Sequence, residues 1–290
     1  MRKALTTTLT LSAVAALGLG MTTATATAGD REDRPGGRDR AAKLQVVGLS
    51  GDRTLVRFDT RRPGDARRLG DVHGLAPADH ELVGIDYRVQ DGKLYGVGRG
   101  GGIYSIDTSS QQAVKVAQLT IALEGQGFGV DFNPAANALR VVSDTGQNLR
   151  QPFATAGAAT VADAPLTTPP AAGTTTGVTG AAYTNNDLDA ATATTLYDLA
   201  TATNQVVIQS PANAGTLAAT GTARVDLVGD TGFDIYSELE DGVAGALSAY
   251  AVNGGRLYSV VLSNGQFADA GRIGGRDLMV TDLALPLDQR

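Results

Sequence analysis

A short motif recurs five times along the chain, and its spacing limits the fold more than any other feature. Gly84-Ile85-Asp86-Tyr87, Gly129-Val130-Asp131-Phe132, Gly180-Ala181-Ala182-Tyr183, Gly232-Phe233-Asp234-Ile235 and Val280-Thr281-Asp282-Leu283 follow one another at intervals of 45, 51, 52 and 48 residues. A period of that size belongs to repeat architectures, in which one unit cannot bury its apolar face alone and stacks on its neighbours.

Each of the first four motifs opens a series of short alternating apolar runs broken by Gly, Asn and Asp, which reads as strands joined by hairpins. In the first unit the expected strands are 85–88, 93–98, 102–107 and 114–119. The second continues through 138–143, 148–153 and 160–163, the third through 195–199, 205–209 and 216–221, and the fourth through 246–252, 256–263 and 266–273. Four antiparallel strands in about 45 residues make one propeller blade. The start of the chain supplies three further strands, 44–49, 54–59 and 66–71, and 280–285 supplies a lone first strand. The expectation is an all-β fold, a β-propeller of five four-stranded blades closed by pairing of the N- and C-terminal strands, which leaves no open sheet edge in the ring. A β-sandwich would account for the turns but not for the period.

Aromatic residues make up 5% of the chain and Trp is absent, so Ala, Val, Leu and Ile must fill the core. There is no Cys, hence neither disulfide nor thiolate chemistry. Arg2 and Lys3, an apolar run from Leu9 to Leu19 and Ala26-Thr27-Ala28 read as a signal peptide over residues 1–28, which implies a secreted, extracellular protein. Residues 29–43 form a charged leader too poor in apolar side chains to order itself, and 44–290 form the propeller domain. Loss of Arg2 and Lys3 takes the formal charge from −6 to −8, which argues against nucleic-acid and membrane partners. The expected state is a monomer.

Val130-Asp131-Phe132-Asn133-Pro134 and the run from Leu139 to Arg150 (LRVVSDTGQNLR), with Ala181-Ala182-Tyr183-Thr184-Asn185 and Thr195-Leu196-Tyr197-Asp198, resemble the bacterial family called domain of unknown function 4394 (DUF4394). The resemblance spans about residues 44 to 285. It implies a propeller-like fold and transfers no catalytic residue.

Several constellations carry both a bland and a sharp reading. Gly96 to Gly101 matches G-x-G-x-x-G, but the segment leads into another strand instead of the helix that would hold a phosphate, so it reads as a hairpin. His73 and His80 would need Asp79 or Glu81 to complete a zinc site and read as loop residues. Asp86, Asp131, Asp234 and Asp282 share one repeat position. They either bond backbone N–H groups of the adjoining blade or, if they border the central channel, form a metal site for a hard cation such as Ca2+; recurrence favours the packing role. Arg140, Asp144, Gln147, Asn148 and Arg150 offer directional bonds for a sugar or a carboxylate, or a well-bonded hairpin. Loops joining second to third strands, and fourth strands to the next blade, share one face. From these, the ligand-binding candidates are Arg99, Glu124, Asp144, Gln147, Asn148, Arg150 and Asp277. No catalytic residue and no cofactor is assigned. The functional expectation is a non-catalytic binding or scaffold module for a small molecule, glycan or protein, the alternative being a propeller hydrolase of glycosidase or lactonase type using channel-mouth carboxylates or a central divalent metal.

Overall fold

The computed structural model of the protein describes residues 43–189 and 191–289. The expected signal peptide, and the leader up to residue 42, lie outside the described residues. The rest is five four-stranded antiparallel sheets, each in strand order from the channel outward. Blade 1 holds β4 (Leu82–Arg88), β5 (Lys93–Gly98), β6 (Gly102–Ile106) and β7 (Ala113–Gln118). Blade 2 holds β8 (Phe128–Asn133), β9 (Ala138–Ser143), β10 (Asn148–Pro152) and β11 (Val161–Ala162). Blade 3 is β12 (Val178–Tyr183), β13 (Leu196–Ala200), β14 (Gln205–Gln209) and β15 (Leu217–Thr222). Blade 4 is β16 (Gly232–Glu240), β17 (Val243–Asn253), β18 (Arg256–Val261) and β19 (Gln266–Arg272). Blade 5 joins both ends of the chain: β20 (Val280–Ala284) pairs with β1 (Gln45–Ser50), which is followed outward by β2 (Thr54–Asp59) and β3 (Arg62–Asp71). Val47 stands opposite Ala284, and Gly48 opposite Leu283.

The five first strands contact one another in the order β4, β8, β12, β16, β20 and back to β4, so the sheets close into a ring. The repeated glycine explains how they come so close. A Cβ at Gly84 would lie 2.5 Å from a Val130 methyl, one at Gly129 2.5 Å from Ala181 N, and one at Gly232 2.4 Å from Asp282 Cα. Each glycine is the point where one inner strand touches the next, and any side chain would push the ring open. Between blades the apolar faces fill five clusters, mostly of Val, Leu, Ile and Ala, and each also holds at least one buried Tyr or Phe.

Several strand bounds move: β3 begins at Arg62 instead of 66 and β4 at Leu82 instead of 85, and larger changes fall in blades 2 and 4. The outer strand of blade 2 shrinks from 160–163 to Val161–Ala162 because its ends bond to other blades: Thr160 N–H donates to Thr120 Oγ1 and Ala164 N–H to Asn213 O. In blade 4, β16 and β17 run on past the blade into a long hairpin. Asp241 and Gly242, both at positive φ (51° and 83°), make its two-residue turn.

The G-x-G-x-x-G segment is a hairpin turn, and its glycines have a further cause. Gly98, Gly100 and Gly102 wrap the carboxylate of Asp79, which is 1% exposed, accepts Gly102 N–H (3.0 Å) and Tyr104 O–H (2.6 Å), and lies 3.6 Å from Lys115 Nζ. A Cβ at Gly102 would sit 2.2 Å from Asp79 Oδ2. We expect Gly102→Ala to lower the urea-unfolding free energy by about 1–3 kcal/mol, the usual cost of overpacking; an unchanged midpoint would contradict this role for the glycines.

Candidate functional site

Backbone N–H groups hold the four repeated aspartates in place. Asp86 Oδ2 accepts Phe132 N–H of blade 2 (2.7 Å), Asp131 Oδ1 accepts Tyr183 N–H of blade 3 (3.0 Å), Asp234 Oδ2 accepts Leu285 N–H just after β20 (2.6 Å), and Asp282 Oδ2 accepts Ile85 N–H of blade 1 (2.8 Å). Each carboxyl therefore staples its blade to the next. Ala182 leaves the seam between blades 3 and 4 without a staple, and there Asn185 N–H donates to Ser237 Oγ and Asn186 Nδ2 to Ser237 O.

The staples also converge. One carboxylate oxygen each from Asp86, Asp131 and Asp234 lie within 4.8 Å of one another, and all three residues are buried. Among the described residues no Lys or Arg forms an ion pair with any of the four. Burial, and then the neighbouring carboxylates, push Asp86 and Asp131 well above the ordinary carboxyl range, and burial pushes Asp234 up to about 7. These carboxyls therefore hold their protons to a higher pH than free ones do. These oxygens line a space of about 10 Å³, the room that one water or one bare cation takes. An all-oxygen donor set of this size suits a hard cation.

At the other end of the channel, where the inner strands begin, Asp52, Glu81, Gln126, Asp230 and Asp282 border a cavity of about 180 Å³. Arg99 is fixed beside it: its Nη2 lies 3.2 Å from Glu81 Oε1, its Nη1 donates to Gly125 O (3.1 Å), and its guanidinium lies over the Phe128 ring, 5.0 Å from the centroid.

The other sequence candidates divide between surface loops and the interior of blade 2. Glu124 and Gln147 share a neighbouring groove, tied by Glu124 N–H to Gln147 Oε1 (3.1 Å). Asp144 accepts Gln126 N–H (3.0 Å), and Asp277 stands exposed in the loop before β20. Asn148, 2% exposed, belongs to the interior, where its Oδ1 accepts Arg140 Nη1 and its Nδ2 donates to Ala164 O and Ala212 O. Arg150 forks onto Asp163 (3.0 and 3.1 Å), which also binds Arg140 at 2.7 Å. The histidines form no metal cluster among the described residues; His80 Nδ1 lies 3.2 Å from Pro77 O.

Asp198 escapes a sequence reading. It is fully buried on the face of blade 3 that meets blade 2, and both its oxygens lack a donor, as does Oε1 of buried Gln209 on the adjacent strand. Burial pushes its carboxyl up to about 8, with Arg140 opposing.

These features define the class: a five-bladed β-propeller with a carboxyl-lined channel and one polar mouth. The chain belongs to the family described as domain of unknown function (DUF4394), whose model matches residues 54–284. No curated protein matches it. Among solved structures it is similar to PorZ of Porphyromonas gingivalis, a bacterial surface component of the type-IX secretion system (16% identity over 79% of this chain and 29% of that one, TM-score 0.37). It is also similar to an auxiliary nutrient binding protein from Bacteroides ovatus (12%, 71% and 55%, 0.41) and to a protein of unknown function from Bacteroides thetaiotaomicron (14%, 79% and 58%, 0.42). The chain thus spans under two thirds of each of these three chains. No helix among the described residues is long and apolar enough to cross a membrane.

Proposed function

We propose that the chain is an exported, non-catalytic binding module whose ligand docks at the channel mouth bordered by Glu81, Arg99, Gln126 and Asp230. The observation that carries this reading is the fixed Arg99, held by an ion pair, a carbonyl and an aromatic ring at the edge of a cavity otherwise rich in carboxylates and amides. Rigid, directional donors and acceptors on loops of a stiff scaffold suit a polyhydroxylated or cationic ligand. In this reading the aspartate ring serves blade packing, since every member of it takes a backbone N–H from the adjoining blade.

The test is a panel of glycans and polyamines against the secreted protein. Arg99→Gln and Asp230→Asn are each expected to weaken the best binder at least tenfold; Asp230→Asn, an exposed change, should move stability by less than about 1 kcal/mol. Unchanged affinity in both variants would place the site elsewhere. The convergence of Asp86, Asp131 and Asp234 favours a second reading, a metal-dependent hydrolase. Stoichiometric metal in the purified protein, together with turnover in a lactone and glycoside panel, would replace the first reading with it.

A further inference from the structure

A large cleft lies away from the channel, on the outer part of blade 5, and its chemistry opposes that of the chain as a whole. Five arginines fall within residues 57–68 of a chain with net charge −6. All five, Arg57, Arg61, Arg62, Arg67 and Arg68, line this cleft together with Lys43, against only Asp59 and Asp65; its volume is about 690 Å³.

The arrangement works against folding. Arg57 on β2 stands directly opposite Arg67 on β3, in register and on the same face of the sheet. Like charges so placed repel. Lys43 pairs with Asp59, and Arg68 with Asp71 outside the cleft, whereas among the described residues Arg57, Arg62 and Arg67 have no ion pair. All three are exposed. Protection of an outer strand edge does not require this density. The corresponding strands β7, β15 and β19 manage with one Lys, no charge, and one Asp with one Arg, and Arg57 is not on the edge strand at all. A local arrangement that costs stability without an internal partner marks a place where something else supplies the partner.

We propose that this cleft binds a small solute carrying two or more oxyanion groups, phosphate or carboxylate, with Arg57 and Arg67 gripping one of them as a pair. Planar guanidinium forks match the two oxygens of such groups. Several cations in one cleft call for more than one anionic group. A long polyanion fits less well, because most of its length would lie against an acidic protein.

The experiment titrates the full secreted protein with pyrophosphate, citrate and inorganic phosphate at low and at physiological salt. It then repeats the series with Arg57→Gln/Arg67→Gln and with Arg256→Gln, which removes an exposed arginine elsewhere. Pyrophosphate or citrate should bind at least tenfold more weakly to the double variant and equally well to the control, and more weakly as salt rises; which of the two binds tighter tells phosphate from carboxylate. Without ligand, the double variant should melt no lower than the parent at low salt, because a repulsion has been removed. Equal binding by parent and double variant, a lower melting temperature of the double variant with no anion response in the parent, or binding only of dextran sulfate or single-stranded DNA would each overturn the proposal.

Discussion

Removal of residues 280–290 is expected to abolish the soluble folded protein. Val280, Leu283, Ala284 and Leu285 are all 2% exposed or less, and burying each larger one is worth about 1.5–3 kcal/mol. Their loss alone approaches the roughly 5–15 kcal/mol that holds a domain together. The deletion also strips Asp234 of Leu285 N–H, leaves Ile85 N–H without Asp282, and opens the edge of β1 along the whole register from Val47 to Ser50. An open β edge beside exposed apolar surface pairs with other chains. Recovery in the insoluble fraction, or loss of a cooperative melting transition, is the expected result. A soluble truncated protein with an unchanged melting temperature would mean that the ring does not need its closing strand.

Asp198→Asn is expected to stabilise the protein, and by more the higher the pH. The carboxyl ionises near 8 when folded and near 3.8 when unfolded, so between those values the unfolded chain releases a proton that the folded chain keeps. Stability contributed by the protonated form is fully present below about pH 4, falls as pH rises, and is gone above about 8. The charged and titratable groups around Asp198 are Arg140 on β9, with Asp163 and Tyr183 bonded to it, Arg150 on Asp163, and Asp131 beside Arg140 on β8. Asn removes the titration and keeps the shape. At 1.36 kcal/mol per pH decade the ceiling is about 6 kcal/mol. The neutral carboxyl and the amide that replaces it are equally short of partners, so their desolvation costs of about 1–3 kcal/mol each largely cancel, and a gain at pH 8 that approaches this ceiling and vanishes near pH 4 is the expected difference between variant and parent. A pH-independent difference, or a loss at pH 8, would show that Asp198 is ionised in the fold.

The repeat was legible because its two fixed residues each answer a physical demand at the channel: Gly84, Gly129 and Gly232 are where inner strands touch, and the aspartates bridge the same seams. The blades followed from alternation and turns. The site was less legible. Arg140, Asp144, Gln147, Asn148 and Arg150 are neighbours in sequence, but strand alternation sends Arg140, Asn148 and Arg150 toward blade 3 while the turn carries Asp144 and Gln147 to the rim. Asp198 stands between Leu196 and Ala200 on a buried face, and one acid in an apolar strand gives no hint that it lacks a donor. Asp79 left a trace in three alternate glycines, but glycine also suits a turn. The arginines of residues 57–68 drew no reading from the sequence, because their meaning lies in the fold, which sets Arg57 opposite Arg67.

Closing the ring with its last strand also fixes the order of events in folding. Thr281 Oγ1 donates to Leu49 O across 232 residues of chain, a contact that no early local structure can bring about. Contacts so remote in sequence form slowly, because the loop they close is expensive in entropy. Blades 1 to 4 consist of consecutive segments and can assemble as they emerge, whereas β1 to β3 wait with an open edge until the final residues arrive.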